Sequence, residues 1–279
     1  MHDTHSPLPI RDHEREVTLL FADLRGFTEL ATTLDTDPLF CELLSHVMDC
    51  LTAAVVEQDG FVIDYYGDSI MAMWNAPADQ SDHAERACRA GLQMLATLPE
   101  VTAEWMRVIQ SELRLGIGIH TGVVQVGNAG STQRVKYGAR GPNVHLASRV
   151  EAATKELGIP LVVTQATIEQ LPESFAAYRV CRARMPGLQQ PVNLFAVGEC
   201  EAAASRNATW QTYDQALSHF EEGRFQEAAE ELTNIDTIAT EVPTQFLLTR
   251  AQQELGRHLR RRSTDKPAAT KGGVIALTK

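Results

Sequence analysis

The sequence predicts an α+β domain followed by a small all-α segment, on three observations. Strand-like and helix-like stretches alternate from Val17 to Val197. After Gly198 the composition turns small and polar, then shows apolar residues at helical spacing only. At 279 residues, 44% hydrophobic and 22% charged, the chain has room for one large globular domain plus something smaller.

Residues 1–14 are polar and contain Pro7 and Pro9, which predicts a disordered lead-in. The domain is placed at 15–198. Its first element, VTLLFADLR (Val17–Arg25), is an apolar run ending in a turn, the pattern of a buried strand. Helical spacing runs from Asp37 to Glu57, and Gly60 ends it. FVIDYYGDSIMAMW (Phe61–Trp74) is rich in β-branched and aromatic residues around a Gly-Asp pair, a hairpin by its chemistry. A helix follows from Ser81 to Leu98. Leu113–Gly141 alternates like two strands joined by a loop containing Asn128, Gly130 and Ser131. Pro142 opens a helix that Gly158 and Pro160 terminate after Leu157. Leu161–Thr164 is a short strand, a brief helix comes next, and a last hairpin spans Ala177–Val197. In 206–256, Tyr213, Ala216, Leu217 and Phe220, then Phe225, Ala228 and Ala229 across Gly223, resemble one tetratricopeptide-type hairpin. One such unit cannot bury its own face, so it packs on the domain or on a partner protein, with Thr244–Leu255 adding a helix. Residues 257–279 begin with a basic run and contain Pro and Gly, which predicts a solvated, disordered tail.

The net charge of −11, from 36 acidic against 25 basic residues, argues against nucleic acid or an anionic membrane as partner. No uninterrupted apolar stretch reaches transmembrane length, and the polar start lacks the apolar core of a signal peptide, so the expected location is cytoplasmic. Cys41, Cys50, Cys88, Cys181 and Cys200 form no CxxC pair and are expected to be reduced packing residues.

Two acids stand out. Asp23 ends an apparently buried strand and precedes a turn, Arg25–Thr28, whose amides could cradle phosphate oxygens. It either caps the next helix or meets a cation, since a lone buried carboxylate is costly. Asp68 follows Gly67 at a hairpin bend and is either a turn residue or half of a site for hard divalent cations.

FADLRGFT, YYGDSIMAMW, LRLGIGIHTGVVQVGNAG and GPNVHLASRVE together resemble, in order and spacing, the catalytic domain of class III nucleotidyl cyclases, the adenylate and guanylate cyclases. The resemblance covers roughly Val17 to Val197. It implies a ferredoxin-like βαββαβ core and a head-to-tail homodimer with composite sites across the interface. It implies two divalent ions, Mn²⁺ or Mg²⁺, on Asp23, Asp68 and the Leu24 carbonyl, with Arg25, Gly26, Phe27 and Thr28 around the phosphates of a nucleoside triphosphate. The implied reaction is attack of the ribose 3′-hydroxyl on the α-phosphate with loss of pyrophosphate. From the partner chain, Arg149 would hold the α-phosphate in the transition state.

Several positions depart from the family. His145, one helical turn before Arg149, stands where an asparagine usually orients the ribose. Leu188 replaces a triphosphate-binding lysine; Arg182 and Arg184, at alternate positions of one strand, either supply that charge or face solvent. The base-reading positions hold Asp64 and Gly138, matching neither the adenylate pair (lysine, aspartate) nor the guanylate pair (glutamate, cysteine). An ionised Asp64 accepts hydrogen bonds only, which suits the ring N–H of guanine or uracil and not adenine N1. Tyr65 and Tyr66 either turn toward the base and shrink the pocket or pack in the core. Departure from both purine signatures also resembles the pyrimidine cyclases of bacterial antiphage defence, so the expected substrate is UTP before CTP. The alternatives are a guanylate or adenylate cyclase with unusual base contacts, or an inactive nucleotide-binding scaffold.

Overall fold

The computed structural model describes residues 12–34, 38–131, 133–199, 207–235, 243–262 and 274–277. Its first strand, β1 (His13–Arg25), carries a continuous apolar run because both of its faces are covered. Leu20, Ala22 and Leu24 enter one buried cluster, while Val17, Leu19 and Phe21 enter another, the period of two that a pleated strand imposes. The first cluster is roofed by α1 (Phe27–Leu34), α2 (Pro38–Glu57) and α3 (His83–Ile109).

The hairpin β2 (Phe61–Tyr66) and β3 (Ser69–Trp74) lies beside β1, with Gly67 supplying the left-handed turn conformation, φ +64°, at no steric cost. On the other side, β4 (Arg114–Gly130) pairs with β1 along its length. The near half of β4 also pairs in parallel with β6 (Leu161–Thr164), and its far end with β5 (Val135–Arg140). After the four-residue α5 (Gln165–Ile168), β7 (Phe175–Arg184) and β8 (Val192–Glu199) complete the order β2-β3-β1-β4-β6-β8-β7-β9, with β5 off this path. The elements from β1 to β4 run βαββαβ, and their sheet order 2-3-1-4 is ferredoxin-like.

The opposite face is covered by α4 (Pro142–Leu157), which starts with proline at its first turn, where no donor is lost. It lies on β4 at very close range. A Cβ on Gly118 would collide with the α4 backbone at Val150 and Glu151.

The C-terminal helices α6 (Asn207–Glu221), α7 (Phe225–Thr233) and α8 (Thr244–Arg262) close on the domain itself. Trp210, Tyr213, Leu217, Leu232 and Leu247 share one cluster with Val150, Leu157, Val180 and Leu194. The buried Tyr213 hydroxyl donates to the Val180 carbonyl at 2.8 Å, and Arg179 pairs with Asp214 and Glu221. These helices therefore bury their apolar face on the sheet of their own chain.

Several boundaries differ from expectation. β1 begins at His13, inside the anticipated lead-in, because His13–Glu16 pair with Val126–Val123 while their side chains stay largely outside. α3 continues past Leu98 and through Pro99 to Ile109, since Val101, Thr102 and Ile109 keep its apolar face buried. Asn128 and Gly130 belong to β4, and the turn sits at Ser131–Arg134. The tail placed at 257–279 is helical to Arg262. Further on, β9 (Ile275–Ala276) pairs in parallel with β7, and Leu277 N–H donates to the Arg184 carbonyl at 3.1 Å. Ile275 and Leu277 are buried, an apolar patch too short for periodicity to reveal. Residues 1–11, 263–273 and 278–279 of those two segments lie outside the described residues. Cys88 and Cys181 are buried thiols, the latter pushed up to about 12 by burial, but Cys41 is exposed and Cys200 lies outside the described residues. Among the described residues α2 is the one helix long and apolar enough to cross a membrane by composition; its Leu43, Val47, Leu51 and Val55 are core residues.

Candidate active site

The sheet register brings Asp23 and Asp68 together. Asp23 forms the last β1–β3 pair, with Ser69, whose hydroxyl donates to the Asp23 carboxylate. Asp68 sits immediately before Ser69 in the hairpin turn. Its carboxyl is pushed up, first by burial and then by the negative charge of Asp23. Leu24 stands one residue beyond the β1–β3 pairing with its side chain in the core, so it has only its backbone to offer.

Arg25 lies against this pair. Its Nη1 is 3.6 Å from Asp23 Oδ2, and its Nη2 donates to Glu151 Oε1 at 2.7 Å, to the Glu151 carbonyl at 3.1 Å and to the Thr154 hydroxyl. Glu151 is pushed up to about 7 by burial; Arg25 opposes that shift, while Asp23 and Asp68 add to it. Arg25, expected in the phosphate turn, is thus tied to the helix α4. The bonding partner Glu151 was not anticipated, although it stands in the quoted run GPNVHLASRVE.

Two carboxylates and a backbone oxygen form a donor set that suits hard divalent cations. Among the described residues no group of three or more His, Cys, Asp or Glu side chains forms a cation cage, so an ion here would leave positions for substrate oxygens. The following turn has Gly26 at φ +75°, and the Gly26 carbonyl accepts from Leu30 N–H, which opens α1. Phe27 is 7% exposed and packs on Phe40 with ring centroids 4.9 Å apart, so its side chain anchors the turn and leaves only its backbone to offer a ligand. The Thr28 side chain lies outside the described residues.

A second group of expected residues gathers elsewhere. Arg149 is half-buried on α4, and its Nη2 would lie 3.0 Å from a Cβ on Gly187, in the β7–β8 turn. His145 is exposed one turn earlier on the same helix. Leu188, next to Gly187, packs into the cluster under the C-terminal helices. Arg182 and Arg184 are both exposed and alternate with buried Cys181, Ala183 and Met185. Among the described residues no hydrogen bond or ion pair joins Arg149 or His145 to Asp23 or Asp68.

The positions expected to read the base hold a feature the sequence did not reveal. Lys136 on β5 forms an ion pair with Asp64 on β2, and its ammonium lies 5.5 Å from the Tyr66 ring centroid. The Asp64 carboxyl is held below its ordinary range, chiefly by the hydrogen bond from Lys136, with Tyr66 and the Tyr65 backbone adding to it. A register shift between Val62 and Asp64 alters the pairing of β2 with β3 there. Lys136 lies two residues before Gly138 on the same strand face, and a Cβ on Gly138 would stand 3.0 Å from the Ile63 side chain. Neither tyrosine is in the core. Tyr65, 45% exposed, shares a 2.7 Å hydrogen bond with Thr52, whereas Tyr66, 58% exposed, turns toward Asp64 and Lys136.

The family described as the adenylate and guanylate cyclase catalytic domain matches residues 10–198. Adenylate cyclase 1 of Rhizobium meliloti (strain 1021) is 31% identical over 183 residues, 66% of this chain and 27% of that protein. The adenylate cyclase of Anabaena cylindrica is 29% identical over 192 residues, 66% of this chain and 37% of that protein. The chain thus spans well under half the length of these curated relatives. Among solved structures, the guanylyl cyclase Cya2 is similar with a TM-score of 0.61 at 30% identity, covering 69% of this chain and 97% of that one. The adenylyl cyclase CyaB from P. aeruginosa shares the fold, with a TM-score of 0.63 at 24% identity over 68% of this chain and 96% of that one. Because the family match spans more than half of its residues, the chain belongs to the adenylate and guanylate cyclase catalytic domain family.

Proposed function

We propose that the protein is a nucleotidyl cyclase that converts a ribonucleoside triphosphate to a 3′,5′-cyclic nucleotide and pyrophosphate. The observation that carries this is the Asp23–Asp68 pair at the β1–β3 edge, two acids in mutual repulsion beside the glycine turn that opens α1. Divalent ions bound there, Mn²⁺ or Mg²⁺, would favour the ionised 3′-hydroxyl and offset charge on the triphosphate. The amides of Gly26, Phe27 and Thr28 hold phosphate oxygens, and Arg149 stabilises charge developing on the α-phosphate. Within one chain Arg149 and His145 make no bond to the acidic pair, which supports a head-to-tail homodimer in which each chain completes the other's site. Exposed Arg182 and Arg184 take the triphosphate charge that Leu188 cannot meet.

For the base, Asp64 presents an acceptor and Lys136 a donor side by side. That pair matches a ring N–H next to a carbonyl, as in uracil and guanine, and equally an amino group next to a ring acceptor, as in cytosine and adenine. The choice therefore rests on Asp64 facing the ring nitrogen, where an ionised carboxylate accepts from an N–H and not from adenine N1. Tyr66 occupies space beside it, which favours the smaller ring, and a ring N–H donated to Asp64 puts UTP before CTP, with GTP the purine alternative. A role in antiphage signalling rests on this base preference through the resemblance to the pyrimidine cyclases. Incubation with each of the four ribonucleotides and Mn²⁺, with products resolved by mass, tests the reading. Predominant cyclic UMP is expected. Predominant cyclic AMP would overturn the assignment of Asp64 to a ring N–H, and nucleotide binding without any cyclic product would make the domain a scaffold.

A further inference from the structure

Arg25 occupies a built slot. Its guanidinium lies on the bare backbone of Gly116, where a Cβ would collide with Nη2 and with the Thr154 hydroxyl. On one side it faces Asp23 across 3.6 Å, and on the other Glu151 and Thr154 receive three hydrogen bonds from Nη2. The geometry is lopsided: the Glu151 contact is 2.7 Å and the Asp23 contact is beyond hydrogen-bond distance. A fixed cation beside an acidic pair competes with any other cation for that pair, and the competition weakens when another carboxylate holds it back.

We propose that Arg25 and Glu151 are positioning residues that set the affinity of the Asp23–Asp68 pair for divalent cations: Arg25 is a resident counter-charge, and Glu151 restrains it from closing onto Asp23. The inference rests on Asp23 and Asp68 being the cation ligands. With the restraint intact, Asp23 keeps its outer lone pairs available. Without it, the guanidinium has one carboxylate partner left and moves onto it.

The consequence is a pair of opposite effects. Mn²⁺ titration of the purified protein, read by loss of the free-ion electron paramagnetic resonance signal at about pH 8, where Glu151 is ionised, should show weaker binding for Glu151→Gln by roughly five- to tenfold. Glutamine retains an acceptor for Arg25, so the fold is kept while the restraining charge is removed. Arg25→Met should bind Mn²⁺ more tightly by a similar factor. The double variant Arg25→Met/Glu151→Gln, which leaves no unpaired charge in the slot and no guanidinium to restrain, should bind Mn²⁺ more tightly than the parent, as Arg25→Met does, and it covers the case in which Arg25→Met fails to fold. A double variant that binds no more tightly than the parent would mean that Glu151 acts through its own charge and overturns the restraint. A merely structural role would shift both single variants in the same direction or neither, and that result overturns the inference. Mn²⁺ binding that Asp68→Asn leaves undiminished overturns the reading of the acidic pair, and the inference with it.

Discussion

Asp64 and Asp68 lie four residues apart on one hairpin, yet folding treats their charges in opposite ways. Asp64 has a resident cation in Lys136, and its ionised form is favoured. Asp68 is partly buried next to another acid, and its ionised form is disfavoured. The difference teaches which carboxylate the chain has already satisfied and which it has prepared for something arriving from solution. At the Asp64 end an acceptor and a donor are held side by side, and on the proposed function they meet a neutral ligand edge. At the Asp68 end Arg25 offsets only part of the charge, and on the same reading a divalent cation would meet the rest.

The largest expected effect breaks the comparison at its acidic end. Asp68→Asn removes a charge needed only by the incoming cation, so cyclic-nucleotide formation should drop by roughly a thousandfold or more. The same change relieves repulsion with Asp23, so the melting temperature should hold or rise slightly, as thermal unfolding would show. Loss of both activity and stability would mean that Asp68 supports the fold instead. Next in size is Gly118→Ala. Its Cβ would strike the α4 backbone beside Glu151, forcing the helix off β4, at a cost of about 2–3 kcal/mol by denaturant unfolding. Because α4 carries Glu151 and Arg149 but not Asp64 or Lys136, activity should decline while the preference among bases stays as it was.

How much of this the sequence displayed follows from the range of each interaction. Asp23 sits at the end of a continuous apolar strand and Asp68 in a glycine turn, both local patterns, and the family resemblance placed them in one site. The ferredoxin-like core came from the same resemblance; the order of strands and helices fits that topology without singling it out. Lys136 was invisible: its partner is 72 residues away, and the contact is made by side chains of two strands that share no backbone pairing. The Arg25–Glu151 bond, across 126 residues, depends on the absence of a side chain at Gly116, a vacancy that no periodicity encodes. The strand β9 escaped because two residues carry no pattern; its place is decided by the open edge of β7.

Sharpening the other end requires a smaller perturbation. Lys136→Met deletes the donor but keeps most of the stem packing beside Tyr66, so selectivity between UTP and CTP should narrow by about tenfold in kcat/KM, roughly 1.4 kcal/mol. Mn²⁺ affinity should not change, because Lys136 neutralises Asp64 and not the acidic pair; a shift there would show that the two ends are electrostatically one site.

The smallest effect concerns proton linkage at Asp64. Its folded pKa is lowered, so the unfolded chain takes up the proton first as the pH falls. The stabilising contribution of the pair is complete above the ordinary carboxylate pKa near 4 and is lost as the pH drops through that value and on through the lower folded one. The side chains are 37% and 27% exposed, so solvent screening limits the pair to about 0.5–1 kcal/mol. Asp64→Asn should therefore be less stable than the parent by that amount at neutral pH, and the two unfolding curves should converge in acid. A gap that stays constant between neutral pH and about pH 3 would show that Asp64 is held by packing and hydrogen bonds that survive protonation, and that its charge does not distinguish it from Asp68.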